Sequence, residues 1–517
     1  MAGTYTKKDF GPGPEEQTLL KDVNGARIMP SKGYSYSHYS TFKTPLLHGS
    51  EPVRLSPGWE GTGRPDDELN FRDMTMDQID LELNPPKDRL NIVYFIMVLH
   101  GLGTLISWNM FITAKDYFVS YKLNTTAVQI AQTGNITNST LQYSNSFMED
   151  STLASQLPNL IFSWLNLFVQ FGGNLTIRIV WGIFVQVLIF VFTVILAMTD
   201  SSTWIGPFYW MTIVSIIILN TANGIYQNSV FGMAAKLPGK YTGAVVLGSN
   251  ISGTLVAFID LISKILSPNH RTAAIYYFIT ALFVLLACFD TYFALPINRF
   301  YRYHELLFHK EVNKKRLDNT AGSPSQRPPY IKIFKQCWIQ CFNVFFIFFV
   351  TLSLFPGVHS SIKRYQDDFI VPHEYYTSIM CFITFNVTAM LGSLLGSMFQ
   401  LPSPKYSFVP ILLRVFFIPL FLVCNYQPKI AGVLVERTIP LLITNDWIYL
   451  VIAIAMGLTS GYFSSISMVY CSRVVESRYA STAGMFGAAS LVTGIVVGLM
   501  FARVMPYLLG WSIFKTN

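Results

Sequence analysis

The chain has 517 residues, of which 51% are hydrophobic and only 13% charged, with a formal net charge of +8 and a mean hydropathy of +0.39. A water-soluble globule of this length would carry far more charge, so the composition excludes one and leaves an all-α membrane protein. The excess of Lys and Arg falls in loops between apolar runs, so no nucleic-acid partner is expected; the partners expected are a lipid bilayer and a small solute.

Residues 1–88 are rich in Gly, Pro, Ser, Tyr and charge, show no apolar periodicity and contain no signal-peptide core. They read as a disordered cytosolic tail. Within it Glu15-Glu-Gln-Thr-Leu19-Leu20 fits an acidic dileucine sorting pattern that a clathrin adaptor could read.

From residue 89 onward about eleven apolar runs are each long enough to cross a hydrocarbon core about 30 Å thick, which takes about 20 residues of helix. They lie at 91–114, 153–171, 177–199, 204–228, 243–265, 272–295, 334–356, 375–399, 407–426, 446–470 and 481–505. Most lack strand-like alternation, so helices are expected over a barrel. The break at 297–333 holds Arg299, Arg302, Lys310, Lys314, Lys315, Arg316, Arg327 and Lys332 against Glu305, Glu311 and Asp318. That bias marks it as cytosolic and, six spans on, places the N-terminus there too. The expected organisation is a tail (1–88), a six-helix bundle (89–296), a cytosolic loop (297–333) and a five-helix bundle (334–517).

The loop after the first span carries sequons at Asn124, Asn135 and Asn138, on the side where glycan is added. Those at Asn174, Asn250 and Asn386 fall in a cytosolic turn or in helices and are expected to stay bare. The six cysteines all lie in or at the ends of spans, so no extracellular disulfide framework is implied. No Walker A sequence, zinc motif or nucleophile elbow is evident. Enzymatic activity, a metal and a cofactor are therefore not expected.

Polar residues inside spans are costly and hence informative. Asn220, Asn223 and Gln227 form one stripe at i, i+3, i+7, with amides suited to a nucleobase or a sugar; helix–helix glue is the competing role. His100, Thr104 and Trp108 share another face. Trp108 could stack on a flat ligand or serve as an interfacial belt residue, and His100 could hydrogen-bond structurally or sense pH. Asp260 and Lys264, four apart, are expected to pair. Arg178 and Arg414, near helix ends, are expected to snorkel toward water.

Several strings together resemble the equilibrative nucleoside transporter family. They run in order from residue 89 to about 502: GLGTLISWNMFITA from Gly101, ILNTANGIYQNSVFG from Ile218, Lys236-Leu-Pro-Gly-Lys-Tyr-Thr, Phe382-Ile-Thr-Phe-Asn, Arg414-Val-Phe-Phe-Ile-Pro and Ser460-Gly-Tyr-Phe-Ser-Ser-Ile-Ser-Met. The resemblance implies a major-facilitator-like 6+5 two-bundle fold around a central cavity. It also implies facilitated, alternating-access movement of nucleosides. The substrate contacts it implies include Trp108 and the position of Ser249, where relatives have Gln; Asn220, Gln227 and Asn386 match further motif positions, and Ser460 occupies another. Departures are concentrated in the span around residue 389. Ala389 stands where the family has Asp, Ser393 where it has Arg, Ser107 where it has Pro, and Ser460 where it has Asn. Ala389 and Ser393 are i, i+4, so one face has lost both charges together, which is tolerable where the loss of one is not.

The function expected is transport of nucleosides or related flat polar solutes with altered sugar recognition. The alternatives are a carrier of the same fold for nucleobases or organic cations, and a non-transporting interaction protein. The plasma membrane is the expected location, with late endosome or lysosome as the alternative. Glycan is predicted on one or more of Asn124, Asn135 and Asn138; glycosidase should sharpen and lower the band, and a shift that survives mutation of all three would overturn the loop's placement.

Overall fold

In lipid, backbone N–H and C=O groups have no water to bond, so each crossing segment must satisfy them within its own helix. The structure, a computed structural model, describes residues 80–81, 83–114, 117–123, 138–169, 174–201, 203–266, 269–318, 328–430 and 433–510. The sorting motif Glu15, Leu19 and Leu20 and the sequon residues Asn124 and Asn135 lie outside them. Asn138 is the first residue of a described helix.

The apolar runs become helices α1 (Ile92–Thr113), α2 (Asn138–Val169), α3 (Leu175–Met198), α4 (Ile205–Ala234), α5 (Gly239–Leu266) and α6 (His270–Ala294). The basic segment forms α7 (Arg299–Asp318). Then follow α8 (Tyr330–Leu354), α9 (Thr384–Met398, entered through a π-helical stretch Thr377–Ile383), α10 (Phe408–Leu413), α11 (Phe417–Leu422), α12 (Asp446–Arg473) and α13 (Ala480–Ala502). The strands β1 (Lys429–Ile430) and β2 (Val433–Leu434) pair antiparallel in the connection before α12.

Nine helical segments among the described residues are long and apolar enough to cross a membrane, against the eleven expected. The two remaining runs have physical reasons for falling short. The run at 153–171, the C-terminal half of α2, is diluted by Gln156, Pro158, Asn159 and Asn166. The run at 407–426 is broken by a 3₁₀ turn, Arg414–Phe416, into two six-residue helices. Pro419 in α11 lacks an N–H, so it cannot bond back into that turn.

Residues 85–517 form one compact unit. Its strongest packing pairs are α1 with α5, α9 with α12 and α8 with α13, then α2 with α4. Counting apolar runs, the first and fifth pair and the second and fourth pair; the seventh and eleventh, and the eighth and tenth, repeat that pattern six runs later. The two halves meet where α5 crosses α9 and α12 and where α4 and α2 cross α13.

Glycines set how closely these pairs approach. A Cβ on Gly248 would strike the Val98 carbonyl of α1, and one on Gly101 the Val245 carbonyl of α5. In the other half Gly461 abuts the Ala389 carbonyl and Gly392 the Leu458 carbonyl. Small residues at helix crossings gain dispersion contact that lipid cannot supply. Elsewhere cations terminate a helix: Lys122 donates to the Thr199 carbonyl at 2.5 Å, and Arg271 donates to the carbonyls of Ala197 and Met198, at the C-terminal end of α3.

Gly461→Val is predicted to force α9 and α12 apart and cost on the order of 1–3 kcal/mol or more. A lowered unfolding temperature in detergent would agree; an unchanged one would contradict the close crossing.

Candidate functional site

The polar stripe of α4 is buried: Asn220, Asn223 and Gln227 are each 2% exposed or less. Asn220 Nδ2 donates to the Ile216 carbonyl at 2.9 Å, which fixes its amide orientation. Its Oδ1 then faces away with no partner, as do Asn223 Oδ1 and Gln227 Oε1. A buried polar atom without a partner costs about 1–3 kcal/mol. Three carbonyl oxygens in a row carry that cost, and all three can only accept.

The stripe's place on α4 follows from its neighbours. Tyr226 turns toward α1, where its hydroxyl donates to the His100 carbonyl and lies 2.9 Å from His100 Nδ1. Gly224 turns toward Asn159 of α2, and Asn228 donates to the Met485 carbonyl of α13 at 2.9 Å. The stripe lies between these faces, on the side of α4 between α1 and α13. His100 is fully buried, with Tyr292 of α6 edge-on at 6.0 Å. Which of the Tyr226 hydroxyl and His100 Nδ1 donates depends on the imidazole tautomer, and His100 Nε2 has no partner among the described residues.

On α1, Trp108 is half-buried, and no ring or hydrogen-bond partner meets it among the described residues. Its neighbour Asn109 donates to Ser252 of α5 at 3.1 Å. Ser249 has its hydroxyl on the Gly101 and Val245 carbonyls and 3.1 Å from Thr104 Oγ1, so a short side chain here serves the α1–α5 seam. Ser107 turns away from Trp108 and donates to Gln186 of α3.

The face that has lost its charges lies at the α5–α9–α12 junction. Ser393 is fully buried; it donates to the Ala389 carbonyl and accepts from Asn250 of α5 at 2.5 Å. Ala389 is 1% exposed and packed at Gly461. Asn386, half-buried, donates to the Phe382 carbonyl and presses its Oδ1 against Gly253. Thus Asn386 and Ser393 face α5, across the junction of the two halves, whereas Ser460 faces α8, 3.0 Å from Thr351 Oγ1.

Asp260 and Lys264 pair at 2.7 Å as their spacing suggests, and Ser378, ahead of α9, bridges both, donating to Asp260 and accepting from Lys264. Two arginines depart from the snorkelling expected of them. Arg178 is 6% exposed and donates to the Asn166 carbonyl and side chain. Arg414 is 2% exposed and turns inward onto α8 and α12. Both long side chains find carbonyls inside the bundle, which sequence spacing does not reveal. Spacing along α4 already marks Asn223, whereas the Arg414–Thr351 contact is visible only in the packing.

This architecture is the major facilitator fold: a proton:xylose symporter of that superfamily superposes with a TM-score of 0.51 at 10% identity, over 83% of this chain and 96% of that one. The sequence model of the nucleoside transporter family matches residues 213–507, and the chain belongs to that family. Human equilibrative nucleoside transporter 1 is 29% identical over 453 residues, 81% of this chain and 97% of the relative. Equilibrative nucleoside transporter 3 of Rattus norvegicus is 27% identical, over 82% of this chain and 91% of the relative.

If Trp108 is a stacking platform, Trp108→Ala should cut transport severalfold at equal surface abundance, and Trp108→Phe should keep part of it. Normal uptake by the alanine variant would make Trp108 a belt residue.

Proposed function

We propose that this chain carries nucleosides or related flat polar solutes across a membrane by facilitated alternating access. The observation that carries the reading is the row of buried acceptors on α4, Asn220 Oδ1, Asn223 Oδ1 and Gln227 Oε1. Oxygens with no partner in the resting bundle suit a solute with N–H or O–H donors, arriving when the two halves separate. The solute replaces water on these atoms, and Trp108 and Asn386 border its path on either half.

Movement requires the halves to part alternately at each end. The Asp260–Lys264–Ser378 cluster is the tie on the outer side, between α5 and the segment leading into α9. The Asn228–Met485 bond between α4 and α13 is a tie on the inner side. Neither is so strong that a solute could not trade against it: the outer tie is two hydrogen bonds through Ser378 and the inner one a single hydrogen bond, each worth on the order of 1 kcal/mol net.

Sugar recognition is the expected point of difference. Ala389 supplies no side-chain acceptor, and Ser393 is already engaged by Asn250. A site without a partner for a hydroxyl discriminates weakly against analogues that lack it. Ser460 has only its hydroxyl to offer. The membrane is proposed to be the plasma membrane, with adaptor sorting through Glu15, Leu19 and Leu20 supporting an endolysosomal location instead.

Uptake into liposomes holding the purified protein tests the reading. Uridine and adenosine should equilibrate without an imposed gradient, and 2′- and 3′-deoxynucleosides should compete within a few-fold of the parent compounds. No uptake of either nucleoside would sink the carrier reading. Strong discrimination against the deoxy analogues would show that another residue reads the sugar.

A further inference from the structure

Arg414 lies at the break between α10 and α11, deep in the second half of the molecule. Its Nη1 donates to the Ile347 carbonyl of α8 at 3.2 Å. Nη2 donates to Thr351 Oγ1 at 3.0 Å and to the Met456 carbonyl of α12 at 3.4 Å. Nε has no partner. Every acceptor is neutral, and no carboxylate of the described residues bonds it. A full positive charge is thus held inside the protein without a counter-ion. Charged groups at this depth are rare and mark solute or ion pathways by default.

The arrangement also says where the charge is felt. Thr351 Oγ1 is shared between Arg414 and Ser460, 3.0 Å on each side. Thr351 donates to the Ile347 carbonyl at 2.7 Å, so its lone pairs face the guanidinium and Ser460. Ser460 is therefore one hydroxyl away from an uncompensated cation. On α12 the next residue, Gly461, touches α9 at Ala389, the face that has lost an Asp and an Arg together. That loss leaves the junction neutral and leaves Arg414 as the charge nearest to Ser460 among the groups bonded there.

We propose that Arg414 sets the charge selectivity of the carrier, admitting neutral solutes and excluding cationic ones, through Thr351 and Ser460. The inference rests on the proposed function, in which Ser460 offers its hydroxyl to the solute. At a separation of several ångströms and low effective dielectric, the repulsion amounts to on the order of tenfold to a hundredfold in partition of a monovalent cation. It disfavours the organic-cation alternative for this chain. Arg414 is a positioning and field-setting residue here, since Thr351 stands between it and Ser460.

The test is uptake into liposomes of adenosine, which is neutral, against 1-methyladenosine, which carries a positive charge on its base near neutral pH. The unaltered protein should favour adenosine at least about tenfold. Arg414→Gln should bring the ratio toward one, and Arg414→Lys should keep it high. Ser460→Asp provides a second route, because it neutralises the charge in place and leaves the Arg414 contacts standing; it too should admit the cation. Equal uptake of both compounds by the unaltered protein would overturn the inference while leaving the carrier reading intact, whether or not any variant folds. Undiminished exclusion in Arg414→Gln or in Ser460→Asp would overturn it as well. Failure of the unaltered protein to move adenosine would remove the carrier reading and this inference with it.

Discussion

A polar atom in hydrocarbon must find a partner inside the protein, and most features of this molecule follow from that constraint. It makes the crossing segments helical. It sends serines and threonines back onto carbonyls of their own helices, as Thr212, Ser215, Thr351 and Ser393 do. It also makes exceptions conspicuous. The row of amide oxygens on α4 and the Nε of Arg414 are unpaired among the described residues, as are His100 Nε2, Asn343 Oδ1, both ring nitrogens of His359 and the hydroxyls of Thr242, Ser465 and Ser467. Their cost has to be offset by packing elsewhere, and the crossings at Gly101, Gly248, Gly392 and Gly461 are where backbone meets backbone most closely.

Those crossings explain how one molecule can be both tightly packed and mobile. Within each half the close glycine contacts leave little freedom to slide. Between the halves, Gly484 of α13 abuts the Phe231 carbonyl and Gly253 of α5 abuts Asn386, and the polar ties are Asn250 to Ser393, Asn228 to the Met485 carbonyl, Trp164 to Thr493 and the cluster of Asp260, Lys264 and Ser378. Rigid halves joined by few polar ties suit rocking about a junction at α5 and α9.

The fold was largely legible in the sequence because length and hydropathy determine crossing helices directly. The eleven apolar runs correspond to helical segments where described, though among the described residues nine segments meet the length and apolarity of a full span. The 407–426 run broke because Pro419 cannot supply an N–H to continue the helix, while the end of α4 ran on past its apolar stretch to Ala234, stopping short of Pro238. Parts of the site were harder to read. Helical spacing identified the Asn220–Asn223–Gln227 stripe and the Asp260–Lys264 pair, since both are local along one helix. It could not place Arg414, whose partners come from helices about 65 residues earlier and 42 residues later, so a side chain expected to reach water turns inward. Ala389 and Ser393 stood out as departures from family strings, but only the packing shows that Ser393 answers to Asn250 across the junction.

The central claim is that the amide oxygens of α4 are kept unpaired for a solute. Gln227→Met tests it in one purified protein, because the substitution keeps the volume and removes the unsatisfied group. Unfolding temperature should be read with and without saturating adenosine. The account predicts that the variant is at least as stable as the parent when empty and loses most of the stabilisation that adenosine gives. A variant that is destabilised when empty yet still gains the full shift from adenosine would show that Gln227 is structural glue, and would contradict the account.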